Sequence, residues 1–270
     1  MTPSQIAEAF REARLNATAL GTYPGVDVPA DLQTAYSIQT TAISAWPGPV
    51  GGWKVAAIQP QWRDRYPAER LAGPVFAAHV WPAERRGTQQ LPVIENGYAA
   101  IELEFILHIG KTLPLRGDWR DAQQLREYVG QVHAGIELAA SPLAGLSALG
   151  PGAVISDFGN NSGIVVGPAL PGFFDQPLEH WQTRVQINGQ AAGEGSAAKV
   201  PGGPLQALLF LANHLADRGI ALKEGDWVSS GATTGIHPVV IGDRYTAHFG
   251  ADITLQGEIA SALSLLAQAR

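Results

Sequence analysis

The sequence predicts a β-rich α+β protein, in which a helical N-terminal region precedes a mixed core dominated by strands. Three observations support this class. Apolar residues recur at helical spacing in the first fifty residues, whereas alternating or wholly apolar segments typical of strands fill most of the remainder. These later segments also lack the regular strand–helix alternation that a doubly wound parallel sheet requires.

Three helices are predicted. Ile6 and Phe10 belong to a first apolar series of near-helical spacing, and a second series runs from Asp31 to Ala45, with Asp31 as its N-cap. Prolines and glycines at 47–52 end this pattern. The third helix spans about 204–218, because a proline occupies its first position and a glycine follows its last.

The strand predictions rest on alternation and on turn residues. Residues 99–109 alternate at first and then become wholly apolar, as in a strand that enters a core, and residues 132–138 and 251–259 are further candidates. Asn188-Gly189 and Gly242-Asp243 each separate two strand-like segments, so each predicts a hairpin.

Composition excludes several classes of function. The chain has 270 residues, a formal net charge of −6 and no dense basic segment, so nucleic acid is not expected as a partner. It has no cysteine, which excludes disulfides, thiolate metal sites and a cysteine nucleophile. No apolar segment is long enough to cross a membrane. The first residues form no secretion signal, so a cytoplasmic location is expected.

Two glutamates interrupt the apolar strand at 99–109. Glu102 and Glu104 are two residues apart and therefore point to the same face of a strand. A third, Glu137, lies in another apolar segment. Because close buried carboxylates cannot all ionise cheaply, either a proton or a cation must lie between them. Three carboxylates without thiolates favour Mg²⁺ or Mn²⁺. The alternative is that Glu102 and Glu104 belong to a solvated strand face.

Lys54 is a candidate functional residue because glycines and apolar residues flank it in the segment 51–56. A lysine in such a segment could be buried beside an anion or a carbonyl group. The alternative is a structural role in which the side chain extends to solvent.

The sequence resembles the fumarylacetoacetate hydrolase superfamily, and within it the 2-keto-4-pentenoate hydratase branch, over about residues 5–260. The segments that carry the resemblance are GGWKVA (51–56), GPVF (73–76), IELEFILHI (101–109), GIELAAS (135–141), NGQAAGEGSA (188–197), ALLFLANHLADRGIALKEGDWVSSG (207–231) and GDRYTAHFG (242–250). A glutamate as the third acidic residue is typical of the hydratase branch, whereas the hydrolase branch tends to have an aspartate.

The resemblance implies a β-roll core at 71–270 that follows an N-terminal helical region at 1–70. It implies Mg²⁺ or Mn²⁺ held by Glu102, Glu104 and Glu137, and a homo-oligomer that acts on small 2-keto or 2-hydroxydienoic acids from aromatic catabolism. The expected reaction is addition of water to a 2-hydroxy-2,4-dienoate by way of a metal-bound enolate. Lys54 would stabilise the enolate or transfer a proton, with a lowered pKa.

Two other functions remain open. The same metal site would serve decarboxylation of a 2-keto acid or hydrolysis of an acylpyruvate, although 59–70 lacks the histidine of a His-Glu lid and offers only Glu69. Residues 138–142 and 158–162 differ from the usual hydratase pattern, so the substrate surroundings are altered. A non-catalytic binding protein that keeps the metal for stability is therefore the other alternative.

Overall fold

The computed structural model describes residues 1–84 and 88–268, and in this part of the chain two β-sheets form the centre of the molecule. The helices are α1 (Pro3–Leu15), α2 (Leu32–Ser44), α3 (Pro151–Ser156), α4 (Pro204–Asp217) and α5 (Ala262–Gln268). None of these helices is both long enough and apolar enough to span a bilayer. The strand-dominated α+β class predicted from the sequence is confirmed.

The strands follow one another along most of the chain. They are β1 (Val50–Ala57), β2 (Arg70–Phe76), β3 (Val80–Pro82), β4 (Gln89–Val93), β5 (Tyr98–Ile109), β6 (Val129–Ser141), β7 (Asn161–Ala169), β8 (Gln182–Ile187), β9 (Gln190–Ser196), β10 (Trp227–Ser229), β11 (His237–Pro238), β12 (Arg244–Phe249) and β13 (Ile253–Ser261). The larger sheet has the order β2-β1-β10-β5-β6-β7-β3, with β11 also paired to β5. The smaller has the order β4-β13-β12-β8-β9.

The three predicted helices are all present. The side chain of Thr2 accepts a hydrogen bond from the backbone N–H of Gln5 at the start of α1, and Asp31 caps α2 through Thr34. The buried faces of α1 and α2 pack together and against α3. Strand β1 comes from the N-terminal region yet lies inside the larger sheet, and the domain division at residue 70 stays a prediction.

One predicted hairpin is confirmed and the other is wrong. Asn188 and Gly189, both with positive φ, join β8 to β9 as the sequence predicts. At Gly242-Asp243 the chain does turn, but β11 pairs with β5 in the larger sheet while β12 pairs with β8 and β13 in the smaller. Alternation marks two strands here, but it does not show that they join different sheets.

A buried ion pair fixes the N-terminal helix to the core. Arg14 of α1 donates to both carboxylate oxygens of Asp157, at 2.6 and 2.9 Å, and also to the carbonyl oxygens of Ala140 and Asn161. The Asp157 side chain is fully buried. Because Ala140 lies near the end of β6 and Asn161 begins β7, this arginine ties α1 to the adjacent ends of these two strands near Glu137.

Close backbone contact at Gly73 provides a stability prediction. A Cβ atom on Gly73 would lie 2.1 Å from the carbonyl oxygen of Phe158, so strand β2 or the loop after α3 would have to move. We expect Gly73→Ala to lower the free energy of unfolding by about 2 kcal/mol or more, as overpacking does. Gly21→Ala is the control, since open space surrounds Gly21. Equal urea midpoints for the two variants would contradict the prediction.

His214 of α4 provides a pH-dependent prediction. Its ring packs on Tyr36 and Phe210, and its Nε2 lies 3.3 Å from Nη1 of Arg218. Burial, and to a lesser degree the positive charge of Arg218, lower the pKa of His214 to about 4. The unfolded chain therefore binds the proton more readily, and stability present above about pH 6.5 is lost as the pH falls toward 4.

Between pH 6.5 and pH 4, we expect the free energy of unfolding to fall by roughly 2–3 kcal/mol less in His214→Phe than in the unsubstituted protein. The measurement is the urea-unfolding free energy at pH 7.5 and at pH 4.5 for both proteins. His180→Phe changes an exposed histidine and serves as the control. If the difference between the two pH values is the same in His214→Phe as in the unsubstituted protein, His214 does not carry the effect. His79 is a second partly buried histidine whose pKa burial lowers to about 4, so some acid sensitivity should remain.

Candidate metal and active site

The three predicted glutamates meet at the centre of the larger sheet. Glu102 of β5 lies opposite Glu137 of β6 in the antiparallel register, and Glu104 is two residues further along the same face of β5. One carboxylate oxygen from each residue lies within 4.8 Å of the others. Their exposed fractions are 6% for Glu102 and 0% for the other two, so the alternative of a solvated strand face is excluded.

Burial makes full ionisation of this cluster costly. Burial first, and then the neighbouring Glu137, raise the pKa of Glu102 to about 7. Burial also raises the pKa of Glu104, as do the charges of Glu137 and Glu102, although two hydrogen bonds oppose this change. These bonds come from the Ser229 hydroxyl at 2.6 Å and the Gly231 amide at 2.7 Å. A divalent cation would replace the protons that the cluster otherwise needs.

Two carboxylate oxygens of the cluster have no hydrogen-bond partner in the described part of the chain. They are Oε1 of Glu104 and Oε2 of Glu137, and both are buried. Native proteins rarely leave buried polar atoms unsatisfied, and an ion is one of the usual reasons when they do. Three carboxylates and one nearby ammonium sum to −2 when ionised, which a divalent ion neutralises. The residues therefore fit Mg²⁺ or Mn²⁺ in number, charge and ligand type.

Lys54 completes this cluster. Its ammonium lies 3.1 Å from Oε1 of Glu137, and the residue is 3% exposed, so the alternative in which it extends to solvent is wrong. Strand β1 can approach β10 this closely because residue 52 is a glycine, where a Cβ atom would lie 2.2 Å from the Trp227 carbonyl oxygen. Burial acts to lower the pKa of Lys54, but the three glutamates outweigh it and raise the pKa overall. The lowered pKa that was expected for Lys54 from the sequence is therefore wrong.

Two asparagines contribute to the site, although the sequence did not mark them as functional. Asn161 donates from Nδ2 to Oε1 of Glu137 at 3.0 Å and so orients that carboxylate. Asn160 lines the cavity beside Lys54, has a positive φ of 64°, and its buried Oδ1 has no partner among the described residues. The only sequence signal was the departure of residues 158–162 from the hydratase pattern.

A cavity of about 370 Å³ opens onto the cluster. Its polar lining includes Lys54, Glu102 and Asn160, and apolar groups make up the larger part of the lining. Residues from several other segments also line it, namely Ile58, Trp62, Arg70, Leu71, Tyr98, Val154, Lys199, Ser230 and Ile236. Glu69, the acidic residue of the segment considered as a lid, is not among the described lining residues, and its side chain is 78% exposed.

Comparison with curated proteins finds short matches to two kinds of enzyme. A segment of 96 residues is 28% identical to 4-oxalocrotonate decarboxylase from Pseudomonas sp. (strain CF600), and this match spans 36% of each chain. A segment of 58 residues is 41% identical to 2-hydroxyhexa-2,4-dienoate hydratase from Comamonas testosteroni and spans 22% of each. The matches thus cover about a third and about a fifth of these relatives. No family model matches the chain.

Comparison of structures covers almost the whole chain. The 4-oxalocrotonate decarboxylase of Pseudomonas putida G7, complexed with calcium and acetate, has a TM-score of 0.77 at 20% identity, over 95% of this chain and 96% of that one. A second structure of that enzyme contains magnesium and adipate, with the same TM-score. Fumarylpyruvate hydrolase from Pseudomonas aeruginosa, in complex with Mn²⁺ and pyruvate, has a TM-score of 0.55 at 17% identity, over 80% of this chain and 91% of that one.

These neighbours show that the chain has the fumarylacetoacetate hydrolase fold. The predicted resemblance to that superfamily, in the branch that contains dienoate hydratases and 4-oxalocrotonate decarboxylases, is confirmed. The neighbouring structures hold divalent metal ions, and the buried acidic cluster described above could hold one here.

Proposed function

We propose that this protein is a divalent-metal-dependent lyase that hydrates 2-hydroxy-2,4-dienoic acids. Glu102, Glu104 and Glu137 would hold Mg²⁺ or Mn²⁺, and Lys54 would be the catalytic residue. The observation that carries the proposal is a buried acidic cluster in which Oε1 of Glu104 and Oε2 of Glu137 have no partner among the described residues. The third member of the cluster, Glu102, lines a cavity of about 370 Å³, which is large enough for a small organic acid. The names of the matched relatives support the substrate class.

Each part of the site has a chemical task in this proposal. A bound divalent ion would supply Lewis-acid stabilisation of negative charge on the oxygens of a 2-keto acid. The Lys54 ammonium places a positive charge and a transferable proton beside the cavity, where it can stabilise a developing oxyanion or protonate it. Asn160 offers an unpartnered carbonyl oxygen that can accept a hydrogen bond from water or a substrate hydroxyl.

Decarboxylation of a 2-keto acid is the second candidate. The structural match to 4-oxalocrotonate decarboxylase over nearly the whole chain favours it. Hydrolysis of an acylpyruvate is less favoured, because no described histidine lines the cavity.

The test is turnover of a panel of 2-hydroxydienoates and unsaturated 2-keto diacids by the Mn²⁺-loaded protein. Formation of a 4-hydroxy-2-oxo acid without release of CO₂ indicates hydration, whereas stoichiometric CO₂ indicates decarboxylation; loss of the dienol absorbance alone indicates only ketonisation. Metal-dependent melting without turnover of any member of the panel would contradict the enzymatic proposal and support a binding protein. Light scattering on the same sample tests the expected homo-oligomer.

A further inference from the structure

Two positively charged side chains line the cavity but have no role in the metal cluster. Arg70 is the first residue of β2, and Lys199 lies in the short turn after β9. Lys199 is exposed, whereas Arg70 is only 7% exposed. A buried charge requires a compensating partner, so the contacts of Arg70 indicate what the cavity is suited to receive.

Arg70 has few partners for a buried guanidinium. In the described part of the chain it donates one hydrogen bond, to the carbonyl oxygen of Pro201. Its one carboxylate neighbour is Glu69, whose Oε2 lies 3.8 Å from Nη1 and whose side chain is 78% exposed. A guanidinium offers several N–H donors in a planar fork that matches a carboxylate. Most of these donors therefore remain free at the cavity wall.

The strand register gives the separation between Arg70 and the metal cluster. On the β1–β2 ladder Lys54 pairs with Gly73, and Ala57 pairs with Arg70. Arg70 and Gly73 are three residues apart on β2, and Gly73 is the residue opposite Lys54. Because a strand rises roughly 3.4 Å per residue, the Arg70 backbone lies about 10 Å along the strand from the position opposite Lys54. Apolar residues, including Ile58 and Leu71, line the same cavity. The cavity thus has an acidic, metal-binding end, an apolar wall and a second, cationic region.

We propose that Arg70, assisted by Lys199, binds a second carboxylate at the far end of the substrate. Arg70 is then the residue that selects 2-oxo dicarboxylic acids over 2-oxo monocarboxylic acids of the same length. This proposal rests on the proposed function only in placing the 2-oxo acid group at the three glutamates. It applies to both candidate reactions as a statement about binding. Hydration leaves the far carboxylate unchanged, whereas decarboxylation of an unsaturated 2-oxo diacid releases that carboxylate as CO₂ after it has bound, and the electron pair of the broken bond passes to the 2-oxo group.

The experiment compares two ligands that differ only at the far end, 2-oxoadipate and 2-oxohexanoate. Their dissociation constants are measured by calorimetry with the Mn²⁺-loaded protein. We expect the diacid to bind roughly tenfold to a hundredfold more tightly, as for a charge-assisted hydrogen-bonded pair. Arg70→Met should remove this preference and leave the affinity for 2-oxohexanoate unchanged. Lys199→Met should reduce the preference by a smaller factor, because Lys199 is exposed.

Two further variants show whether an effect of Arg70→Met comes from the lost guanidinium or from loss of the fold. Arg70→Lys keeps the charge but loses the planar fork, so we expect it to retain part of the preference. Arg184→Met removes an exposed arginine from β8 in the smaller sheet and should leave both affinities unchanged. Thermal melting of each variant shows whether it is folded at the temperature of the titration.

Adipate, which lacks the 2-oxo group, separates this proposal from the proposed function. If adipate binds without Mn²⁺ and Arg70→Met abolishes that binding, the carboxylate site is supported even where the metal function fails. If both 2-oxo acids bind equally well, require Mn²⁺, and respond equally to Arg70→Met, the metal function stands and the second carboxylate site is overturned.

Discussion

Glu102→Gln should abolish tight binding of Mn²⁺ while the protein remains folded. The amide keeps the size of the side chain but removes one of three anionic ligands from a fully buried cluster. Changes in residues that merely orient a ligand cost about 10–100-fold in metal affinity, so loss of a ligand should cost at least about a hundredfold. The measurement is a calorimetric titration of the metal-free protein with Mn²⁺.

The stability of the metal-free variant shows whether loss of binding reflects the fold. Burial already raises the pKa of Glu102, so the carboxyl group costs free energy in its ionised form, and a neutral amide should leave the melting temperature equal or higher. Mn²⁺ should raise the melting temperature of the unsubstituted protein and not that of Glu102→Gln. Glu194→Gln, at an exposed position on β9, should retain the whole Mn²⁺ effect. Undiminished Mn²⁺ affinity in Glu102→Gln would remove this residue from the metal site.

Lys54→Met should lower turnover by roughly a hundredfold to ten-thousandfold, the range for loss of an acid–base group. The ammonium lies 3.1 Å from Glu137 and lines the cavity, so its loss removes the positive charge and the proton at that wall. Mn²⁺ affinity should be retained or increased, because removal of one cation favours another in the same acidic cluster. Steady-state kinetics and the Mn²⁺ titration are measured on the same preparation.

Loss of Lys54 leaves Glu137 without its ion-pair partner, which costs about 3–5 kcal/mol where a buried pair is broken. The variant is therefore compared with the unsubstituted protein after loading with Mn²⁺, and its melting temperature is recorded. Lys111→Met removes an exposed lysine and should change neither turnover nor metal binding. Lys54→Met that binds Mn²⁺ poorly, or that keeps full turnover, would contradict the role assigned to Lys54.

The sequence predicted the acidic pair because its signal is local. A spacing of two residues puts Glu102 and Glu104 on one face of a strand whatever the rest of the fold does. That Glu137 lies directly opposite Glu102 depends on the register of β5 against β6, which pairs residues 35 positions apart in the chain. Residue patterns identified Glu137 as a candidate, but its position beside Glu102 could be seen only in the folded structure.

Other features depended on contacts that local patterns do not contain. The turn at Gly242-Asp243 was identified, but not the separation of its two strands into different sheets. The burial of Lys54 follows from close packing of β1 against β10. Asn161 and Arg70 are near the site because distant segments meet there, and no local pattern predicts these contacts.

The most direct test of the metal site is calorimetric binding of Mn²⁺ to the metal-stripped protein, with and without oxalate, a stable mimic of the chelating 2-keto acid group. We expect that Mn²⁺ binds, that oxalate tightens its binding, and that Glu102→Gln loses both effects. If the unsubstituted protein binds neither Mn²⁺ nor oxalate, the three buried glutamates are structural and the catalytic proposal is wrong.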